Sequence, residues 1–152
     1  MSKIDGVAVG TVKVVSRDGE VQVAYRGVPG LNHSRLAPVA TMLAGKGNGS
    51  WMMPEVGDEA LIAFRNGNAE EPYIIGFLWN GEDQPPEHDA PKRLIRSKSG
   101  HSILLDDTSG SEKVVVRSKS GLTVTLDDAQ SMIQLEGGGR RMVLQSGKVE
   151  FS

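Results

Sequence analysis

Apolar and polar residues alternate over Val7–Val15 and again over residues 20–25, on either side of Asp18-Gly19. A period of two marks a strand with one buried face, and Asp-Gly suits a tight turn, so the two runs are predicted to form a hairpin. A further strand is expected over Glu59–Phe64, followed by a turn at Asn66-Gly67-Asn68 and, after Pro72, a strand over residues 73–79. Together these predict a small barrel of about five strands. Residues 36–43 fit a strand or a short helical turn, and Gly45, Gly47 and Gly49 belong to a loop.

Past residue 92 the pattern changes. All seven prolines lie at or before Pro91, and residues 80–91 are polar and proline-rich, which favours extended backbone over helix or sheet. Residues 80–92 are therefore read as a linker between a first domain at 1–79 and a second at 93–152. The second domain repeats itself: Arg96-Ser97-Lys98-Ser99-Gly100 recurs as Arg117-Ser118-Lys119-Ser120-Gly121, and Leu105-Asp106-Asp107 as Leu126-Asp127-Asp128, both 21 residues later. A looser third copy carries Gly137-Gly138-Gly139 and Met142-Val143-Leu144. Repetition at a fixed period predicts a stacked architecture. About six short strands with Gly or Asp-Asp turns are expected.

A lone copy of this second domain lacks the means to hold itself together. Its single aromatic residue is Phe151. Ordering a residue costs about 1.5 kcal/mol, whereas fully burying one aliphatic side chain returns ~1.5–3 kcal/mol. Strands paired between identical copies, with their apolar faces in one shared interior, would resolve the deficit and remove the exposed edges. The residues assigned to that interior are Val114, Val116, Leu122, Val124, Leu126, Ile133, Leu135, Val143 and Val149. In triplets such as Val114-Val115-Val116 the facing is ambiguous by one residue.

Composition narrows the chemistry. With no cysteine, the chain has no disulfides, thiol catalysis or cysteine-held zinc. A net charge of -2 argues against a binder of phosphate backbones or membrane surfaces, and residues 1–92 hold 8 Lys or Arg against 12 Asp or Glu. The opening Met1-Ser2-Lys3-Ile4-Asp5-Gly6 has no signal-peptide pattern, and no apolar run is long enough to span a bilayer, so synthesis in the cytoplasm is expected. Asp106-Asp107 and Asp127-Asp128 could be acid/base couples or metal ligands, but they repeat in register with the strands, as turn residues would. His33, His88 and His101 lack metal-ligand spacing. Residues 45–50, Gly-Lys-Gly-Asn-Gly-Ser, lack the strand-then-helix setting of a phosphate cradle. A glycan hydrolase would need paired carboxylates in a cleft, and no enzyme activity or cofactor is expected.

The alternative class is a binding module for single-stranded nucleic acid or carbohydrate, using rings on a barrel surface. Phe64, Phe77 and Trp79 are expected in the core, which leaves Tyr25 and Trp51 as the surface rings.

Specific stretches resemble the OB-fold base of phage baseplate spikes and of the VgrG proteins of type VI secretion. Gly19-Glu20-Val21-Gln22-Val23 is similar to their GRVKV strand. The run at 54–64, PEVGDEALIAF, with Pro54, Val56, Gly57, Asp58 and Phe64, resembles their P-x-VGDEVLVxF signature. Asn66-Gly67-Asn68, Pro72, Ile75-Gly76 and Asn80 fall where those proteins carry GD…P-x-I-x-G…N. The tail resembles their triple-stranded β-helix needle. The resemblance implies an all-β chain: an N-terminal OB-fold barrel followed by a C-terminal intertwined triple-stranded β-helix, a trimeric prism. It further implies a structural homotrimer at the tip of a contractile tail, assembled into a virion or extracellular injection particle, that punctures a target envelope through transient membrane contact. No hub domain precedes the barrel in this sequence, so a separate hub or baseplate protein is the expected partner at that end. The needles that end in His-x-His iron sites have no counterpart after His101, so a blunt tip is expected near Phe151, fit for a PAAR-type tip protein. An ion on the trimer axis is left open.

Overall fold

The computed structural model describes residues 3–152; Met1 and Ser2, with which the expected first domain opens, lie outside the described residues. The chain divides into two compact units between Gln84 and Pro85, within the proline-rich segment. The described residues are strands and turns, with one short 3-10 turn at Arg65–Gly67.

The first unit contains β1 (Val7–Val15), β2 (Glu20–Arg26), β3 (Ala37–Pro38), the short hairpin of β4 (Ala44–Gly45) and β5 (Asn48–Gly49), β6 (Glu59–Phe64) and β7 (Pro72–Leu78). The main sheet has the order β3-β2-β1-β6-β7. Its two edges meet through a parallel bridge between Val39 and Ile74, where the Ala40 N–H donates to the Ile74 carbonyl at 2.8 Å, and so the sheet closes into a five-stranded barrel of OB type. The alternation in the sequence sets what lies inside: Ala8, Val12, Val21, Val23, Ala37, Ala60, Ile62, Phe64 and Ile74 form the buried core. Gly10 is required by close packing, since a Cβ there would stand 2.8 Å from the Ala24 carbonyl oxygen. The ambiguous stretch at 36–43 contains the short strand β3; of the glycines expected in a loop only Gly47 is in one, at the Lys46-Gly47 tip, while Gly45 and Gly49 pair in β4 and β5.

The second unit is one antiparallel meander of seven strands: β8 (Lys92–Arg96), β9 (Ser102–Asp106), β10 (Lys113–Arg117), β11 (Thr123–Asp127), β12 (Met132–Gly137), β13 (Arg140–Gln145) and β14 (Lys148–Phe151). β8 thus starts on the last residue of the expected linker. The two repeated RSKSG segments each end a strand and form the turn after it. Asp106 and Asp127 close the strands that follow, which explains the 21-residue period as one hairpin per repeat. Each strand pairs with its neighbour along the same chain, and the loops are short enough to make that local partner the first one met. The Gly138-Gly139 turn, with φ of 59° and 74°, joins β12 to β13 in the left-handed geometry that two-residue hairpin loops require.

Candidate functional site

In an antiparallel sheet, residues directly opposite one another share a face, so the register of the second unit assigns every side chain to one side or the other. One set of rungs joins Ile95 to Ile103, Ile103 to Val116, Val116 to Val124, Val124 to Leu135 and Leu135 to Met142. A second joins Leu105 to Val114, Val114 to Leu126, Leu126 to Ile133, Ile133 to Leu144 and Leu144 to Val149. The result is an almost unbroken aliphatic face across seven strands, with Arg93 at its start. It stays open: Val124 is 39% exposed, Leu126 44%, Ile133 44% and Leu135 40%.

The opposite face is mixed: its central rung runs Leu94, Leu104, Val115, Thr125, Gln134 and Val143, apolar at four of the six. Its outer rungs run Lys92, Asp106, Lys113, Asp127 and then Met132, an alternation of charge across neighbouring strands, and Arg96, Ser102, Arg117, Thr123 and Glu136. Asp106 is only 6% exposed. The Thr108 hydroxyl and N–H donate to its carboxylate, and these bonds, with Lys113 and Lys92 beside it, hold its pKa below the ordinary 3.8 against the opposing effect of desolvation. Asp127 accepts from the Gln130 N–H at 2.8 Å. Both first members of the Asp-Asp pairs therefore organise turns, and no cluster of three or more metal-ligating side chains occurs among the described residues.

Of the residues assigned to a shared interior, Val114, Val116, Val124, Leu126, Ile133, Leu135 and Val149 lie on the open apolar face. Leu122, one residue before β11, has their parity and packs beside Gly137. Val143 is on the other face, opposite Gln134, and is buried there; Met142 and Leu144 occupy the apolar side instead. Val143 therefore lies on the other face from the rest of the assigned set, because the two-residue turn at Gly138-Gly139 fixes the register of β13. Phe151 is 77% exposed and lines, with Leu135 and Met142, a shallow hollow of about 570 Å³ flanked by Arg140 and Arg141.

The signature residues of the barrel have structural roles. Gly19 takes φ of 83° in the β1–β2 turn, and Val21 and Val23 are fully buried. After Pro54, the Asp58 carboxylate accepts from the Glu55 N–H at 2.8 Å, and the backbone of Gly57 and Asp58 bonds to Val12, which fixes the approach to β6. Val56 in that turn is 65% exposed. Phe64 and Pro72 are buried opposite each other, and Gly76 follows a bulge in β7. Asn80 ties down the next turn by accepting from the N–H groups of Glu82 and Asp83.

The rings depart from expectation. Phe64 is in the core and stacks at a tilt on the half-buried Tyr25, with centroids 5.9 Å apart. Phe77 and Trp79, expected inside, are 40% and 64% exposed, because the bulge bends β7 before Phe77 and Trp79 lies past the strand's end. Trp51 is 66% exposed and Met42 94%, at the base of the β4–β5 hairpin. That apolar base went unrecognised in the sequence, where the glycines drew attention to the loop; the Met42-Leu43 and Trp51-Met52 pairs on either side were its signal.

Residues 6–79 match the family model described as the Type VI secretion system/phage-baseplate injector OB domain. Two spike proteins of Pseudomonas aeruginosa, the Type VI secretion system spike proteins VgrG1a and VgrG1b, are each 28% identical to this chain over 94 residues. Each alignment covers 55% of this chain but only 15% of VgrG1a and 13% of VgrG1b, so the chain spans a small part of those relatives' length. The barrel is thus similar to the injector OB domain, and the chain shares a stretch of sequence with two VgrG spike proteins. Among the described residues no helix is long and apolar enough to cross a membrane.

Proposed function

We propose that this chain is a structural subunit of a membrane-piercing spike, a homotrimer whose injector OB domain attaches to a hub or baseplate protein and whose C-terminal sheet forms the shaft. The observation that carries this reading is the open aliphatic face of the seven-stranded sheet. Monomeric proteins rarely expose contiguous apolar patches above a few hundred Å². Covering the exposed half of each such side chain would return about 1 kcal/mol apiece. Three copies with these faces turned inward would share one interior and expose the charge ladders, giving a triple-stranded β-helix in the wider sense of three sheets around an axis. Such a shaft resists force because its rupture separates three chains together. It works without catalysis or a bound cofactor, and its end near Phe151, with the shallow hollow beside it, is the seat for a tip protein.

Solution mass by light scattering tests this directly. A mass near three times 16.3 kDa, persisting in urea that unfolds ordinary domains, is the expected result. A single-chain mass at micromolar concentration, with the barrel folded, would overturn it and return the barrel to the class of binding modules.

A further inference from the structure

The meander sorts the charges of the second unit by the row of turns to which they belong. β8, β10 and β12 end at one row, formed by residues 97–101, 118–122 and 138–139; the opposite row is formed by residues 107–112, 128–131 and 146–147. At the first row stand Arg96, Lys98, Arg117, Lys119, Arg140 and Arg141, with Glu136 as the one acidic side chain. The turns of this row stack on each other: the Lys119 N–H donates to Nδ1 of His101 at 3.3 Å.

The opposite row, with the segment leading into β8, holds seven acidic side chains: Glu87, Asp89, Asp106, Asp107, Glu112, Asp127 and Asp128. Four cations share that edge: Lys92, Arg93, Lys113 and Lys148. Several are engaged locally, Lys92 with Asp89 at 2.6 Å and Arg93 with Asp107 at 2.8 Å, but acid remains in excess. The sheet therefore has one strongly basic edge and one acidic edge. They are separated by a five-residue strand, about 17 Å, which is roughly twice the Debye length at physiological salt, so each row presents its own charge to whatever lies beside it.

We propose that these two rows are the mating edges between copies of this chain, the basic row of one copy lying against the acidic row of the next. The inference rests on the self-associating reading above and adds to it the geometry of the seams. A two-fold arrangement along either edge would bring basic to basic or acidic to acidic, which costs energy. A rotation in one sense brings basic to acidic at every seam, and a heterologous contact of this kind forms a closed ring when the rotation closes. The apolar face then lies inside the ring, and the turns, not the strand edges of β8 and β14, make the lateral contacts. Charge in the turns thus disfavours two copies meeting side by side through the same row, and the apolar face supplies the shared interior.

Charge reversal tests the seams. Lys119→Glu with Arg140→Glu makes the basic row acidic, and Glu112→Lys with Asp128→Lys makes the acidic row basic; the fourfold variant carries both changes. By light scattering and sedimentation, each twofold variant is expected to assemble at least tenfold more weakly than the unaltered chain and to gain assembly as salt rises. The fourfold variant is expected to return to the unaltered mass, which misfolded turns would not do. Twofold variants that assemble like the unaltered chain, or a fourfold variant that fails to recover, would overturn the seams while leaving the spike reading standing. An unaltered chain that is itself a monomer would overturn the spike reading first, and the seams with it.

Discussion

Ser34 shows how a single side chain completes the barrel. Its N–H donates to the Val23 carbonyl at 2.8 Å, and its hydroxyl accepts from the Val23 N–H at 2.9 Å, in a position only 5% exposed. The side chain thus serves as a rung of the ladder beside β2, where the chain between β2 and β3 is irregular. Ser34→Ala removes the acceptor and leaves a buried N–H unpaired, a loss of about 1–3 kcal/mol. Trp51 and Trp79 both lie in this unit, so urea unfolding followed by tryptophan fluorescence reads it. A change within about 0.5 kcal/mol, ordinary for surface substitutions, would mean that the hydroxyl is dispensable. Nothing in the sequence marks Ser34: no local motif places it, because its partner Val23 lies eleven residues away and is reached only after β2 has paired.

At the scale of elements, the strands were legible wherever alternation met an unambiguous turn, as in the β1–β2 hairpin around Asp18-Gly19 and in the two RSKSG repeats. Facing was lost where apolar residues run together or a strand bulges. Met142-Val143-Leu144 reads equally well in either register, and the extra residue at Ile75 defeats the alternation that would place Phe77 and Trp79 inside. The Asp-Asp turns were recognisable as turns, but the burial of Asp106 was not. The hydrogen bonds that Asp106 accepts there, outweighing its burial, make the sheet sensitive to acid. A carboxylate whose folded pKa lies below its unfolded value adds stability that is present above the unfolded value and lost as pH falls through the folded one. Asp106, Glu87 and Glu112 are all depressed, chiefly by hydrogen bonds from turn N–H groups and, for Asp106, from the Thr108 hydroxyl. Melting of the sheet, followed by circular dichroism, is expected to stay flat above pH ~5 and to drop below pH ~4, where these carboxylates titrate. Thr108→Val should shrink that drop by weakening the hold on Asp106. An equal acid response in both proteins would show that Asp106 contributes nothing to it.

For the whole molecule, the two faces of the second unit carry opposite instructions, and neighbouring residues test them. Val124 and Thr125 are consecutive in β11 and therefore point to opposite sides, Val124 among Val116 and Leu135, and Thr125 among Val115 and Gln134. A single chain gives little reason to prefer either site for a carboxylate, since Val124 is 39% exposed and Thr125 is half-buried. β-propensity differs only modestly between them. An assembled shaft distinguishes them sharply. At position 124 each copy would contribute a charge to a water-excluded interior, where unpaired carboxylates cost several kcal/mol each and repel one another. At position 125 the charge would lie half-exposed on the outer face, between Val115 and Gln134, where water still reaches it. Val124→Asp is therefore expected to abolish assembly, giving a single-chain mass with the barrel still folded, whereas Thr125→Asp keeps the assembled mass and melts within a few degrees of the unaltered protein. Equal behaviour of the two variants would mean that the apolar face is not the buried one, and the spike would then have to be built from the other side of the sheet.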